Sequence, residues 1–131
     1  MTNINYDTER KRFVEKDLCA RLPYGVKVAF FNEDLTHHSE PKTLIEIECI
    51  NNLNYSRLED EDGNTTIVEF VKPYLFPLSS MTEEQKEDMI KSSCGIGSDK
   101  NVFDWWNKNH FDYRGLIPMG LAIDATGLNI Y

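Results

Sequence analysis

His110, Asp112, Tyr113 and Arg114 form the densest group of chemically capable residues in this chain, and Trp105 and Trp106 lie just before them. A histidine can act as general acid or base, a nearby carboxylate can orient it, and a guanidinium can hold an anion. His110, Asp112 and Arg114 are therefore the candidate catalytic residues of a small hydrolase or transferase. The same residue types also satisfy backbone groups and pair with one another at irregular corners. That structural role is the expected one. Trp105, Trp106, Tyr113 and Arg114 are the candidate binding residues, because Trp, Tyr and Arg are enriched at the centres of protein interfaces.

Other constellations are incomplete. His37, His38 and Glu40 share a polar connector, but a folded metal site needs about three protein ligands and the only other histidine, His110, would have to be brought close by the fold. No metal and no cofactor are expected. Cys94-Gly95-Ile96-Gly97 lacks the third glycine of a dinucleotide loop, since Lys100 stands in its place. Glu59-Asp60-Glu61-Asp62 lacks the ligand spacing of a calcium loop and reads as a solvated turn. Cys19, Cys49 and Cys94 are odd in number and widely spaced, so reduced thiols are expected.

The elements that must position these residues follow from periodicity. Phe13, Val14, Leu18 and Leu22 fall at helical spacing within residues 7–22, with Asp7 as a candidate N-cap and Pro23 and Gly25 as the stop. From Val26 the pattern turns to strands. Val26 to Phe31 is β-branched and aromatic, and Ile45-Glu46-Ile47-Glu48-Cys49 alternates apolar with acidic residues, as for a strand with one wet face. Asn51 to Asn54 reads as a turn, Tyr55 to Leu58 as a weaker strand, and Asp62-Gly63 as the turn of a hairpin. A fourth strand runs from Thr65 to Val71 and ends at Lys72-Pro73. Connections this short rule out βαβ crossovers, so residues 26–71 are expected to form an antiparallel sheet of four short strands, with closure into a small SH3-like barrel as one option.

The last third is helical and loop-rich. Ser80 with Glu83, or Thr82 with Gln85, can form a capping box for a surface helix over Glu83 to Lys91. A second short helix opens at Phe103 and ends near His110. The fold class is thus α+β in a single domain spanning residues 1–131.

Composition bounds the partners. The chain has 131 residues and a formal charge of −8, and residues 23–78 hold ten acidic and four basic groups. That balance argues against a protein that neutralises phosphates, so direct nucleic-acid binding is not expected, although mimicry of a phosphate backbone by an acidic face stays open. No run approaches a membrane span and no secretory signal is visible, which places the chain in the cytoplasm.

Two longer strings carry a resemblance. Lys72 to Gln85, and Phe103 to Asn107 followed by His110 to Ile117, resemble a group of small proteins from the genomes, prophages and mobile elements of Bacteroides-type gut bacteria. The resemblance implies a phage or mobile-element accessory protein and transfers no catalytic residue. The reading is a non-enzymatic module whose partner is a protein, bound through the acidic sheet or the aromatic corner, with the hydrolase or transferase and the nucleic-acid readings as alternatives.

Overall fold

A computed structural model describes residues 8–31, 39–92 and 98–131. The element order is α1 (Thr8–Arg21), β1 (Lys27–Phe30), β2 (Lys42–Ile50), β3 (Leu53–Glu59), β4 (Thr65–Val68), β5 (Val71–Pro77), α2 (Glu83–Ser92), α3 (Ser98–Lys108), β6 (Phe111–Asp112) and β7 (Ile123–Asp124). The α+β class holds. The sheet differs from expectation, with seven strands instead of four, in the order β4-β3-β2-β1-β5-β6 and with β7 also on β5. It is mixed, since β6 and β7 both run parallel to β5. It is also open from β4 to β6, so the SH3-like closure is not the architecture observed. No described helix is long and apolar enough to cross a membrane.

The extra strands arise where sequence pattern is weakest. Thr65 to Val71 divides at Glu69–Phe70, and the chain then continues as β5 straight through Pro73. Proline is tolerated there for a geometric reason. Phe31 N–H donates to Phe70 O at 3.2 Å, and antiparallel rungs alternate, so Ala29–Lys72 is hydrogen-bonded while Val28–Pro73 is not. The missing N–H of Pro73 therefore points away from β1 and costs that ladder nothing.

The turns follow their residues. Asn51 and Asn52 both take left-handed backbone, with φ of 51° and 65°, which makes the two-residue turn whose twist matches the flanking strands. In the next hairpin Asp60 Oδ1 accepts the Asp62 and Asn64 N–H groups, and Gly63 takes φ of 84°. At α2 the capping box forms between Thr82 and Gln85: Thr82 Oγ1 accepts the Gln85 N–H, and Gln85 Oε1 accepts the Thr82 N–H.

The main core lies between α1 and one side of the sheet, built from Val14, Leu18, Val26, Val28, Leu44, Leu58, Val71 and Leu75, and closed by Leu116 and Leu121. Each such side chain contributes ~1.5–3 kcal/mol on burial. A smaller cluster of Ala29, Tyr74 and Ala125 lies apart from it, packed with Phe76, Ile123 and Ile130. All of Val71 to Leu75 is buried in consequence, whereas β2, β3 and β4 each keep a wet face.

Two positions correct the expected inward faces. On α1 the buried stripe runs through Lys11, Val14, Asp17, Leu18 and Arg21, while Phe13 and Leu22 are only half-buried. On β2 the register shifts between Leu44 and Glu46, so Ile45 is the extra residue of a bulge. Leu44 takes the core position expected of Ile45, which is 39% exposed.

Candidate functional site

The aromatic corner is assembled by α3 and the turn after it. Asn109 N–H and side-chain amide both donate to Trp105 O, ending the helix, and His110 adopts φ of 64° to redirect the chain into β6. Trp105 is buried, lies nearly parallel to Phe111 with ring centres 5.6 Å apart, and donates its indole N–H to Asp88 at 2.8 Å. Trp106 stacks on Tyr113 at 5.4 Å, with Phe103 against both rings. The corner therefore joins α3 to α2 and to β6.

Charge is buried at its base. Asp17 and Arg21 are fully buried and joined at 2.8 Å, and the second oxygen of Asp17 accepts from Arg114 at 3.1 Å. Arg21 also donates to the backbone carbonyls of Phe111 and Trp106. Both guanidiniums lie against the Tyr113 ring, 5.2 and 5.0 Å from its centre, and the Tyr113 hydroxyl donates to Asn107. One carboxylate thus serves two arginines, and the carbonyls and ring complete their coordination. Such a network holds its geometry only while every member is present.

The three candidate catalytic side chains go to separate partners. The Asp112 carboxylate accepts the backbone N–H groups of Leu116 and Ile117 at 2.9 and 2.8 Å and shapes the following turn. Arg114 is held by Asp17. His110 is buried, stacks on Tyr131 with ring centres 3.7 Å apart, and its Nδ1 has no hydrogen-bond partner. Burial, and then the nearby charge of Arg21, push the His110 pKa down to about 4. Tyr131 is fixed in turn: its hydroxyl accepts from Lys27 N–H at 2.8 Å and donates to Tyr74 O at 2.7 Å. Burial raises its pKa well above the ordinary tyrosine range.

The remaining sequence candidates are quickly placed. His37 and His38 and the Cys94–Gly97 loop lie outside the described residues. Among the described residues no group of three potential metal ligands comes together. Cys19 and Cys49 are free thiols. Asp60, Glu61 and Asp62 border a surface cleft of about 530 Å³ that Lys27 and Lys42 also line.

A surface that sequence reasoning placed only coarsely is the outward side of β2–β4. The bulge at Ile45 puts both Ile45 and Glu46 opposite Arg57, and alternation then carries Glu48, Ile50, Leu53, Tyr55 and Ile67 to the same side. Arg57 binds Glu48 at 2.8 Å and Glu46 at 3.4 Å across the strands. The bond to Arg57 lowers the Glu48 pKa. Around this charged centre Ile45, Ile50, Leu53 and Ile67 are exposed by 39, 43, 46 and 44%. The missed signal was the adjacent pair Leu44-Ile45, since two consecutive apolar residues in an alternating strand cannot both face the core. No protein family matches the chain, and no curated protein or solved structure is significantly similar to it.

Proposed function

We propose that the chain is a non-enzymatic protein-binding module that presents the outward side of β2–β4 to a partner that brings both apolar and basic side chains. The observation that carries this reading is the set of four exposed aliphatic side chains on one sheet face, Ile45, Ile50, Leu53 and Ile67. Surface apolar residues scattered singly need no explanation, whereas several on one face, bordered by polar groups, are the usual mark of an interaction site. Glu46, Glu48 and Glu59 share that side with a single arginine, so the favoured partner is positively charged. The aromatic corner supports the reading less well, because Trp105 is buried and Arg114 and Tyr113 are engaged with Asp17 and Asn107. A hydrolase or transferase would require His110, Asp112 and Arg114 to leave their present contacts. The proposed setting is a cytoplasmic accessory role in a phage or mobile element.

The test compares the chain with the double variant Ile50→Asp, Leu53→Asp in capture from host extract. Both side chains are exposed but directly opposite across the strands, so the variant is expected to fold with a modestly lower melting temperature, measured alongside the capture. A protein retained by the parent and lost by the variant supports the reading. Equal retention by both, or none by either, overturns it.

A further inference from the structure

Among the described residues the sheet has a free edge at β4, whose outward backbone groups follow from the alternation of its rungs. Asp60 N–H donates to Asn64 O at 2.9 Å, which makes that pair a hydrogen-bonded rung. Antiparallel rungs alternate, so Leu58–Thr66 and Ser56–Val68 are bonded while Arg57–Ile67 and Glu59–Thr65 are not. Thr66 and Val68 therefore direct their backbone groups to β3. The N–H and C=O groups of Thr65 and Ile67 point the other way, where the strand order ends.

Edges of this kind are normally protected by lysine, proline, an inward charge or a bulge. Thr65-Thr66-Ile67-Val68 has none of these and is rich in residues that favour strands. Among the described residues its one protection is its length of four residues. The charges beside it are mostly acidic, and the four acids at positions 59–62 outnumber Lys27 and Lys42, which line the cleft beside the turn. Glu59, Glu61 and Asp62 are exposed at the hairpin end, whereas Arg57 is shared by Glu46 and Glu48, and Lys11 is paired with Glu69.

We propose that the partner docks by strand addition: an extended basic segment pairs with the outward backbone groups of Thr65 and Ile67, sets an apolar side chain beside Ile67, and directs its cations toward the hairpin acids. This rests on the protein-binding reading above and specifies how the same surface is entered. Main-chain bonds supply affinity in this mode, and alternate side chains supply selectivity. A second copy of the chain is disfavoured, because it carries a formal charge of −8 and the same exposed hairpin acids instead of a basic segment.

The probe is an end-blocked peptide of about eight residues alternating valine and lysine, long enough for one strand. Amide NMR is expected to show shifted and slower-exchanging N–H groups at Thr65 and Ile67, with Thr66 and Val68 little changed. Ile67→Pro removes an outward donor without touching the β3 ladder, and it is expected to weaken binding at least ~10-fold at unchanged melting temperature. Ile67→Lys, a surface change that repels the probe, provides the same reading should the proline variant fail to fold. A matching valine and glutamate peptide is expected not to bind. No amide perturbation up to ~1 mM of the basic peptide overturns the proposal. Binding that survives both Ile67 variants but is lost in Ile50→Asp, Leu53→Asp also overturns strand addition, while leaving the sheet-face reading intact. A dimer that either Ile67 variant dissociates, seen by sedimentation, identifies a second copy as the occupant and overturns the basic segment.

Discussion

Asp17 shows how much one buried carboxylate can hold. It is fully buried and answers both Arg21 and Arg114, so its removal leaves two guanidiniums sharing only carbonyls and an aromatic face. Asp17→Ala is expected to cost ~3–5 kcal/mol in urea unfolding. Arg114→Ala should cost less, because that side chain is 20% exposed and can be replaced by water. His110 makes a separate prediction about pH. Its folded pKa lies near 4, below the unfolded value, so between those values the unfolded chain binds more protons. The stability it protects is complete above pH ~6.5 and is lost progressively as pH falls toward ~4, by up to ~3 kcal/mol. Carboxylates also contribute to the loss of stability in acid. The readout is therefore the difference between the parent and His110→Asn, a residue that tolerates the left-handed backbone, and the variant is expected to show a shallower acid-side slope.

Elements were legible where local pattern and tertiary demand agree. The capping box of α2 and the Asp62-Gly63 hairpin depend on neighbours in sequence and appear as expected, whereas the turn expected over Asn51 to Asn54 narrows to Asn51-Asn52, with Leu53 and Asn54 already in β3. On α1 the apolar half of the buried stripe was readable at Val14 and Leu18. Lys11, Asp17 and Arg21 were not readable as buried, because the partners that justify their burial, Glu69, Arg114 and the Phe111 carbonyl, lie 58, 97 and 90 residues away. The candidate site divides in the same way: its residue types were visible at positions 105–114, but the dispersal of His110, Asp112 and Arg114 depends on distant Tyr131 and Asp17. β6 and β7, at two residues each, are too short to have a period. The bulge provides a sharp test at this scale. The register shifts by one residue across Ile45, so deleting it regularises β2 and is expected to leave a folded protein. Deleting Ile47 moves Glu48 onto the core side and is expected to prevent folding.

At the scale of the whole molecule, the C-terminal Tyr131 ties sequence-distant strands. Ala29–Lys72 and Val28–Pro73 are consecutive rungs of β1 and β5, and the next would be Lys27–Tyr74. The Tyr131 hydroxyl occupies that rung, bonding Lys27 N–H and Tyr74 O while its ring covers His110. Tyr131→Phe leaves both backbone groups short of a partner and is expected to lower global stability by ~1–3 kcal/mol, with faster hydrogen exchange at the Lys27 amide.

The mixed pairing of β5 also orders events in time. β2, β3 and β4 are joined by tight turns and can zip locally, whereas β5 must find β1 far upstream and β6 and β7 far downstream. Contacts that close long loops form late, because their entropy must be lost before they stabilise anything. The meander is therefore expected to be structured in the folding transition state and the Tyr131 rung absent from it. On that account Ser56→Ala, in the meander, slows folding, while Tyr131→Phe leaves the folding rate nearly unchanged and accelerates unfolding. Stopped-flow chevrons of the two variants separate these outcomes.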